Sequence, residues 1–419
     1  MALSNEIKEF IKKDVLERFL KYVQIYTTSD EESESTPSTK RQFELANLLK
    51  KELEELGLKD VEVDEYCYVY ATLPASEGYD GPAISFCAHL DTSPDVSGEN
   101  VKPIIHKDYD GGNILFPDDP ELVLTPEESP ELKEFVGDDI ITASGKTLLG
   151  ADDKAGIAEI MSGLAALVRF KELKHPELKI CFTPDEEIGR GVDKITLSKL
   201  GKYCYTFDGG MIGELEAECF DAHYAKIKFI GSNVHPGYAK NKMVNAASIA
   251  ARFIAALPEY ETPEHTENRE GFFHLLKISG DVSETEIQFI IRDFDKEVNQ
   301  RRIKLLKDLV EYFKTKYPGL SIDFQEKEQY KNMYEVLKNH KEVLDIAEKA
   351  MIEAGIKVEH KAIRGGTDGA RLCFMGVPTP NIFAGGLNFH SKKEWVACTA
   401  LLKATETFLN LCKLWYGNK

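Results

Sequence analysis

Glu186 and Glu187 stand side by side where the apolar run Cys181-Phe182-Thr183 meets a proline, in Cys181-Phe182-Thr183-Pro184-Asp185-Glu186-Glu187. Neighbouring residues leaving a strand point in different directions, so two adjacent carboxylates can take two tasks, one gripping a metal and the other moving a proton. That division of labour is hydrolytic chemistry. On its own, an acidic pair in a chain with 71 Asp and Glu residues is better read as a solvated turn. The rest of the constellation changes that reading. A second apolar run, Ala83-Ile84-Ser85-Phe86-Cys87-Ala88, ends in His89-Leu90-Asp91. Residues two apart share a strand face, which places Asp91 to take the second ring N–H of a metal-binding His89. Asp152 and Asp153 open an apolar helical run to about Phe170; a helix cap accounts for one of them and leaves the other over. Asp208, directly before Gly209-Gly210, and His390, at the end of a segment that holds Gly385-Gly386, complete the set, glycines letting the backbone pass close to a site.

Such side chains need a scaffold that gathers strand ends. Strands, helices and glycine turns alternate as far as about Glu216, with a helix opened by Pro37 and Ser38 running to about Leu56. From Cys219 to about Phe324 the pattern changes. Ala225 to Gly231 alternates as an edge-like strand, followed by a helix from Asn245 to about Leu257, strands at Phe272–Lys277 and Glu286–Arg292, and a helix from Lys296 to Lys316. This order reads as a small α+β sandwich inserted into a larger α/β domain. The chain then returns to helix at Val343–Ala354 and strand at Asn381–Phe383, bringing His390 back to the site. The expected organisation is a discontinuous catalytic domain at 1–217 and 326–419, a mixed sheet between helices, with an inserted domain at 218–325.

At 419 residues the chain is too long for one ordinary core. Its N-terminus lacks both a basic start and a long apolar stretch, so neither a signal peptide nor a membrane anchor is expected. Eight cysteines without a CxxC pair, several inside apolar runs, read as free buried thiols in a reducing compartment, hence the cytoplasm. A net charge of −19 argues against nucleic acid and anionic membranes as partners.

In order along the chain, HLDTSPD, TLLGADDKAGIAEIM, CFTPDEE, FDGG, NVHPGYAKNKMVNA, IIRDFD and IRGGTDGARL resemble the peptidase T family. These are the tripeptide aminopeptidases among the dinuclear zinc exopeptidases, which also include carboxypeptidase G2. The resemblance implies a zinc-exopeptidase catalytic domain and makes the inserted sandwich a lid and dimerisation domain, so a homodimer is expected. It makes His89, Asp152 and Asp208 the ligands of one metal and Asp152, Glu187 and His390 those of the other, with Asp152 bridging and a cis peptide between Asp152 and Asp153. Glu186 becomes the general base acting on a metal-bridging hydroxide, and Asp91 the partner that orients His89. Two Zn2+ ions are the first choice for such a nitrogen and carboxylate set, with Co2+ or Mn2+ as possible substitutes. His235 becomes the group that stabilises the tetrahedral oxyanion, often across a dimer interface. His223, outside any ligand motif, is read as structural. Arg292 and Arg364 are candidates for a bidentate clamp on a peptide's C-terminal carboxylate, with the stronger claim at Arg364. Ser391 departs from the family, which commonly has glycine directly after the histidine, and this bears on the backbone angles beside His390. The implied activity is release of the N-terminal residue from tripeptides. The alternatives are a dipeptidase, carboxypeptidase or deacylase of the same family, or a catalytically silent peptide- or metal-binding homologue.

Overall fold

The computed structural model describes residues 3–418 and divides into two compact units. The first comprises the chain up to Ala217, Glu335–Lys361 and the stretch from Thr367 onward; the second comprises Glu218–Tyr334 and Ala362–Gly366.

The first unit is built on an eight-stranded mixed sheet in the spatial order Lys59–Val63, Val69–Leu73, Leu178–Thr183, Ile84–His89, Tyr203–Gly209, Asn381–Phe383, Glu214–Cys219, Glu359–Ile363. Its centre is parallel: Ile84–His89 runs parallel to both Leu178–Thr183 and Tyr203–Gly209, and the last of these parallel to Asn381–Phe383. Every residue of Ile84–His89 is buried. A parallel strand covered on both faces reads as a continuous apolar run rather than an alternating one, and this is why the runs ending at His89 and Thr183 stand out in the sequence. The helix Ala151–Arg169 packs on Ile84–His89, with Asn5–Tyr22 and Cys398–Gly417 packed against that helix. His89 is the last residue of its strand, Asp208 the last but one of its own, and Glu186 stands three residues past the end of the third. The site thus forms where open parallel sheets gather ligands, beyond the carboxyl ends of the strands.

The helix expected from Pro37 begins at Gln42, because Ser38 is drawn instead to Asp185: its N–H and Oγ donate to that carboxylate at 2.7 and 2.5 Å. Among the described residues no helix is long and apolar enough to cross a membrane.

The second unit is a four-stranded antiparallel sheet in the order Phe272–Gly280, Glu284–Asp293, Asp221–Ile230, Ser321–Tyr330. The helices Ala246–Ile254 and Lys296–Lys316 pack on it through a core that includes Ile227, Phe229, Phe253 and Leu306. Asp221–Ile230 is an interior strand, not the edge strand its alternation suggested. The alternation records a sheet covered on one face only: Ala225, Ile227 and Phe229 are buried while Lys226 and Lys228 are partly exposed. The unit extends past residue 325 because Ser321–Tyr330 pairs with Asp221–Ile230 along nearly its whole length.

Candidate metal centre

His89 is held from both ends. Its backbone N–H donates to Asp153 Oδ2 at 3.1 Å, and its ring Nδ1 lies 3.0 Å from the carbonyl oxygen of Asp91. A carbonyl can only accept, so Nδ1 carries a hydrogen, and when the ring gives up its other proton to a cation Nε2 is the nitrogen left bare. That nitrogen lies 2.8 Å from Asp152 Oδ1 and 3.5 Å from Asp208 Oδ1. Asp208 is positioned through its own backbone, whose N–H donates to Asn381 Oδ1 at 3.1 Å.

The two neighbouring aspartates divide as the cap argument requires. Neither Asp152 nor Asp153 has helical backbone angles, and the peptide between them is cis. Asp153 Oδ1 accepts the Gly156 N–H at 3.2 Å, three residues on, as a helix cap does. Asp152 is left to face the site with both oxygens: beyond the Oδ1 contact to His89, its Oδ2 lies 3.5 Å from His390 Nε2, and the same ring nitrogen lies 2.8 Å from Glu187 Oε2. The ring of His390 is oriented by Asp95, whose Oδ2 lies 3.1 Å from Nδ1. Asp95 was not singled out in the sequence, although it closes the HLDTSPD segment. The left-handed backbone positions in this loop fall on Asn388 and His390, at φ 56° and 57°, and not on Ser391. Serine is therefore accommodated there, and its Oγ donates to the Asn388 carbonyl at 2.7 Å.

Asp91 lies against the His89 ring and has a second part besides. Its carbonyl, not its carboxylate, is the nearer partner of the His89 ring, at 3.0 Å against 3.5 Å. The strand ends at His89 and the chain turns, so that the buried Asp91 carboxylate also faces the next strand's exit. There it accepts the N–H groups of Glu186 and Glu187 at 3.0 and 3.3 Å. It thereby fixes the short turn Glu186–Ile188 that presents the two carboxylates. Asp185, in left-handed backbone at φ 55° and bonded to Ser38 and Gln42, anchors the same turn from the other side. Sequence reasoning passed over it as the third acid of one run.

Among the protein's own groups, burial and the nearby Asp208 charge push the Glu186 carboxyl well above its usual range. Burial and the Asp152 charge push Glu187 up to about 8. Burial also opposes ionisation of Asp152, but hydrogen bonds from His390 and His89 outweigh it and hold its carboxyl below the usual range. A divalent cation competes with protons for the lone pairs of acids crowded this closely. The donor set fits such ions: one group of His89, Asp152 and Glu187 and another of His89, Asp153 and Asp208 each offer converging ligand atoms. The two groups share His89, and Asp153 is also engaged by the helix cap and by the His89 N–H. Imidazole nitrogen with carboxylate oxygen is the ligand chemistry of zinc-type hydrolase sites.

The other singled-out residues belong to the second unit. His235 is exposed in a turn, where its Nδ1 accepts the Gly237 N–H at 3.2 Å. The neutral ring therefore carries its hydrogen on Nε2, as a donor. Arg292 is 8% exposed and donates to the carbonyls of His223 and Ile291 at 3.0 and 3.1 Å and to Gln329 Oε1 at 2.8 Å. Arg364 is exposed, with its guanidinium on the carbonyls of Asn268 and Glu270 at 2.8 and 3.0 Å. His223 is buried with Nδ1 3.0 Å from Glu326 Oε1, a structural pairing.

A mixed sheet that gathers His89, Asp152, Glu187, Asp208 and His390 near its strand ends, interrupted in the chain by an antiparallel α+β unit, has the make-up of a metallo-exopeptidase. Residues 220–320 match the peptidase dimerisation domain. A peptidase T of Geobacillus sp. (strain WCH70) is 48% identical over 405 residues, 96% of this chain and 99% of the relative. The chain belongs to the peptidase T family. Two solved structures share the fold. A tripeptidase from Staphylococcus aureus superimposes with a TM-score of 0.77 at 21% identity, covering 97% of this chain and 99% of that one. A dinuclear metal binding peptidase of the M20 family from Bacillus subtilis gives 0.67 at 16% identity, covering 97% and 98%.

Proposed function

We propose that this chain is a cytoplasmic aminopeptidase that releases the N-terminal residue from tripeptides, works with two zinc ions and assembles as a homodimer through its second unit. The observation that carries the reading is the Asp152 carboxylate, one oxygen turned to His89 and the other to His390, with Glu186 fixed beside Glu187 on a shared turn. His89 and Asp208 complete one cation position, and Glu187 and His390 the other. The cations supply Lewis acidity at the scissile carbonyl and make water a nucleophile near neutral pH. Glu186 takes the proton from the attacking water and passes it to the departing amine, a task suited to a carboxyl whose proton affinity burial has raised. His235, with its Nε2 hydrogen free to donate, steadies the oxyanion. Arg364 holds the C-terminal carboxylate and so measures substrate length. Arg292 assists from beneath: its guanidinium lies over the Tyr330 ring at 5.3 Å, and that ring is packed so closely on Gly366 that a Cβ there would stand 2.6 Å from it. All eight cysteines are free, which supports a reducing compartment.

The test is a panel of di-, tri- and tetrapeptides and a C-terminally amidated tripeptide, with metal analysis of the same protein. The free tripeptide is expected to lead, and amidation or Arg364→Ala to lower kcat/KM by at least about tenfold, without the two losses adding. Equal turnover of the free and amidated tripeptides would sink the carboxylate ruler, and preference for a dipeptide would favour the dipeptidase reading.

A further inference from the structure

Glu394 lies four residues beyond His390 and is 1% exposed. Its carboxylate reaches across the unit to the loop that carries Asp152. Oε2 accepts the N–H groups of Leu149 and Gly150 at 2.7 and 2.8 Å, and Oε1 accepts the N–H of Asp152 itself at 3.1 Å. Successive N–H groups turned onto one oxygen form a backbone nest, and Gly150 makes the turn possible with its left-handed φ of 82°. The base of the side chain is fixed as well. The Glu394 N–H donates to the Ser391 carbonyl at 3.3 Å, and the strand Trp395–Ala397 that follows pairs with Ile140–Thr142. One buried carboxylate therefore ties the backbone of Asp152 to the loop of His390, two residues that must meet the same cation although the sequence sets them far apart. Both need such a tie. Asp152 has to present its two oxygens in two directions, and His390 sits on an irregular loop with 40% of its side chain exposed.

We propose that Glu394 is a positioning residue that clasps the Asp152 loop to the His390 loop and thereby governs uptake of the cation these residues share with Glu187. The inference rests on the two-cation reading of the site. His89 and Asp208 are set by the strands that bear them, so the cation they hold with Asp152 depends on the clasp less. Loss of Glu394 should separate the two binding steps.

The experiment is a zinc titration by calorimetry on the full chain stripped of metal, with thermal unfolding in the absence and presence of zinc, for the unaltered protein, Glu394→Gln and Glu394→Asp. The glutamine keeps the shape but turns an NH2 group onto part of the nest, and the aspartate is one methylene too short to reach both sides. The unaltered chain is expected to take up two equivalents. In both variants the first equivalent should remain and the second weaken by at least about tenfold, the range of other partners that orient metal ligands. The rise in Tm that zinc confers should shrink accordingly, since that rise reports binding to the folded state. On the tripeptide, kcat should fall with little change in KM. A folded variant that binds both equivalents with unaltered affinity would overturn the clasp. So would Glu394→Asp lowering the Tm of the metal-free chain while leaving the zinc-induced rise intact, because that is the mark of a merely structural carboxylate; this arm decides the matter should Glu394→Gln fail to fold. An unaltered chain that takes up fewer than two equivalents would instead overturn the two-cation reading, and the clasp with it.

Discussion

The two halves of the proposed ligand set meet at the Asp152 carboxylate but are built by different means. His89 is 2% exposed, ends a wholly buried parallel strand and is fixed through its backbone by Asp153 and through its ring by the Asp91 carbonyl. His390 is 40% exposed, stands in left-handed backbone at φ 57° and takes its ring orientation from Asp95, itself 65% exposed. A non-glycine residue in that conformation costs about 1–3 kcal/mol and persists only where its surroundings hold it. One half is therefore laid down by the register of the sheet, the other by a loop that must be tied in place. The first is complete once the strands pair; the second depends on contacts between distant pieces of chain.

The largest effect tests whether Glu186 stands outside both halves. Glu186→Gln should leave both cation positions filled while kcat falls by about 10²–10⁴ or more, because only proton transfer is removed. Glu187→Gln should instead empty the His390 half. Metal analysis alongside kcat checks the pair, and the reverse outcome, with cation lost from Glu186→Gln and retained in Glu187→Gln, would exchange the two roles.

A smaller effect is expected at His235, which belongs to neither half. His235→Ala should lower kcat by about a hundredfold with the metal content of both halves unchanged. Mixing that variant with the Glu186→Gln protein distinguishes action across a dimer from action within one chain. Partial recovery of activity places the histidine of one subunit at the site of its partner, and no recovery after confirmed subunit exchange places it at its own.

The contrast between the halves also governs what could be read in the sequence. His89, Glu187 and Asp208 announce themselves because each follows a continuous apolar run, and such runs are what buried parallel strands leave behind. That one of Asp152 and Asp153 would be left over was legible too, since a helix start needs only one capping acid, while which of them it would be rested on the family resemblance. Other features were hidden because they depend on pairings between remote segments. That Asp91 would turn its carboxylate to the N–H groups of Glu186 and Glu187 follows from how two strand ends meet, and nothing local records it. Asp221–Ile230 looked like an edge strand because alternation reports one covered face and says nothing about neighbours in the sheet. Glu394 was invisible as a partner of the Asp152 loop, being separated from it by 242 residues.

The last expectation bears on the comparison itself. If the sheet holds one half and a loop the other, the two cations should leave unequally. A chelator added in steps to the loaded protein should remove the cation of the Glu187 and His390 half first, with the two equivalents differing in affinity by at least about tenfold, as ligands with different orienting partners do. The exposure of His390 gives water and chelator access on that side, while His89 and its orienting carbonyl are closed to both. His390→Ala should then convert two-step release into a single step that matches the tighter phase, and His89→Ala should disturb both phases, because the ring also meets the Asp152 oxygen that aims the bridge. Release of both cations in one step from the unaltered chain would mean that Asp152 couples the halves so strongly that exposure no longer separates them, and the bridge, rather than the sheet or the loop, would set the affinity of each.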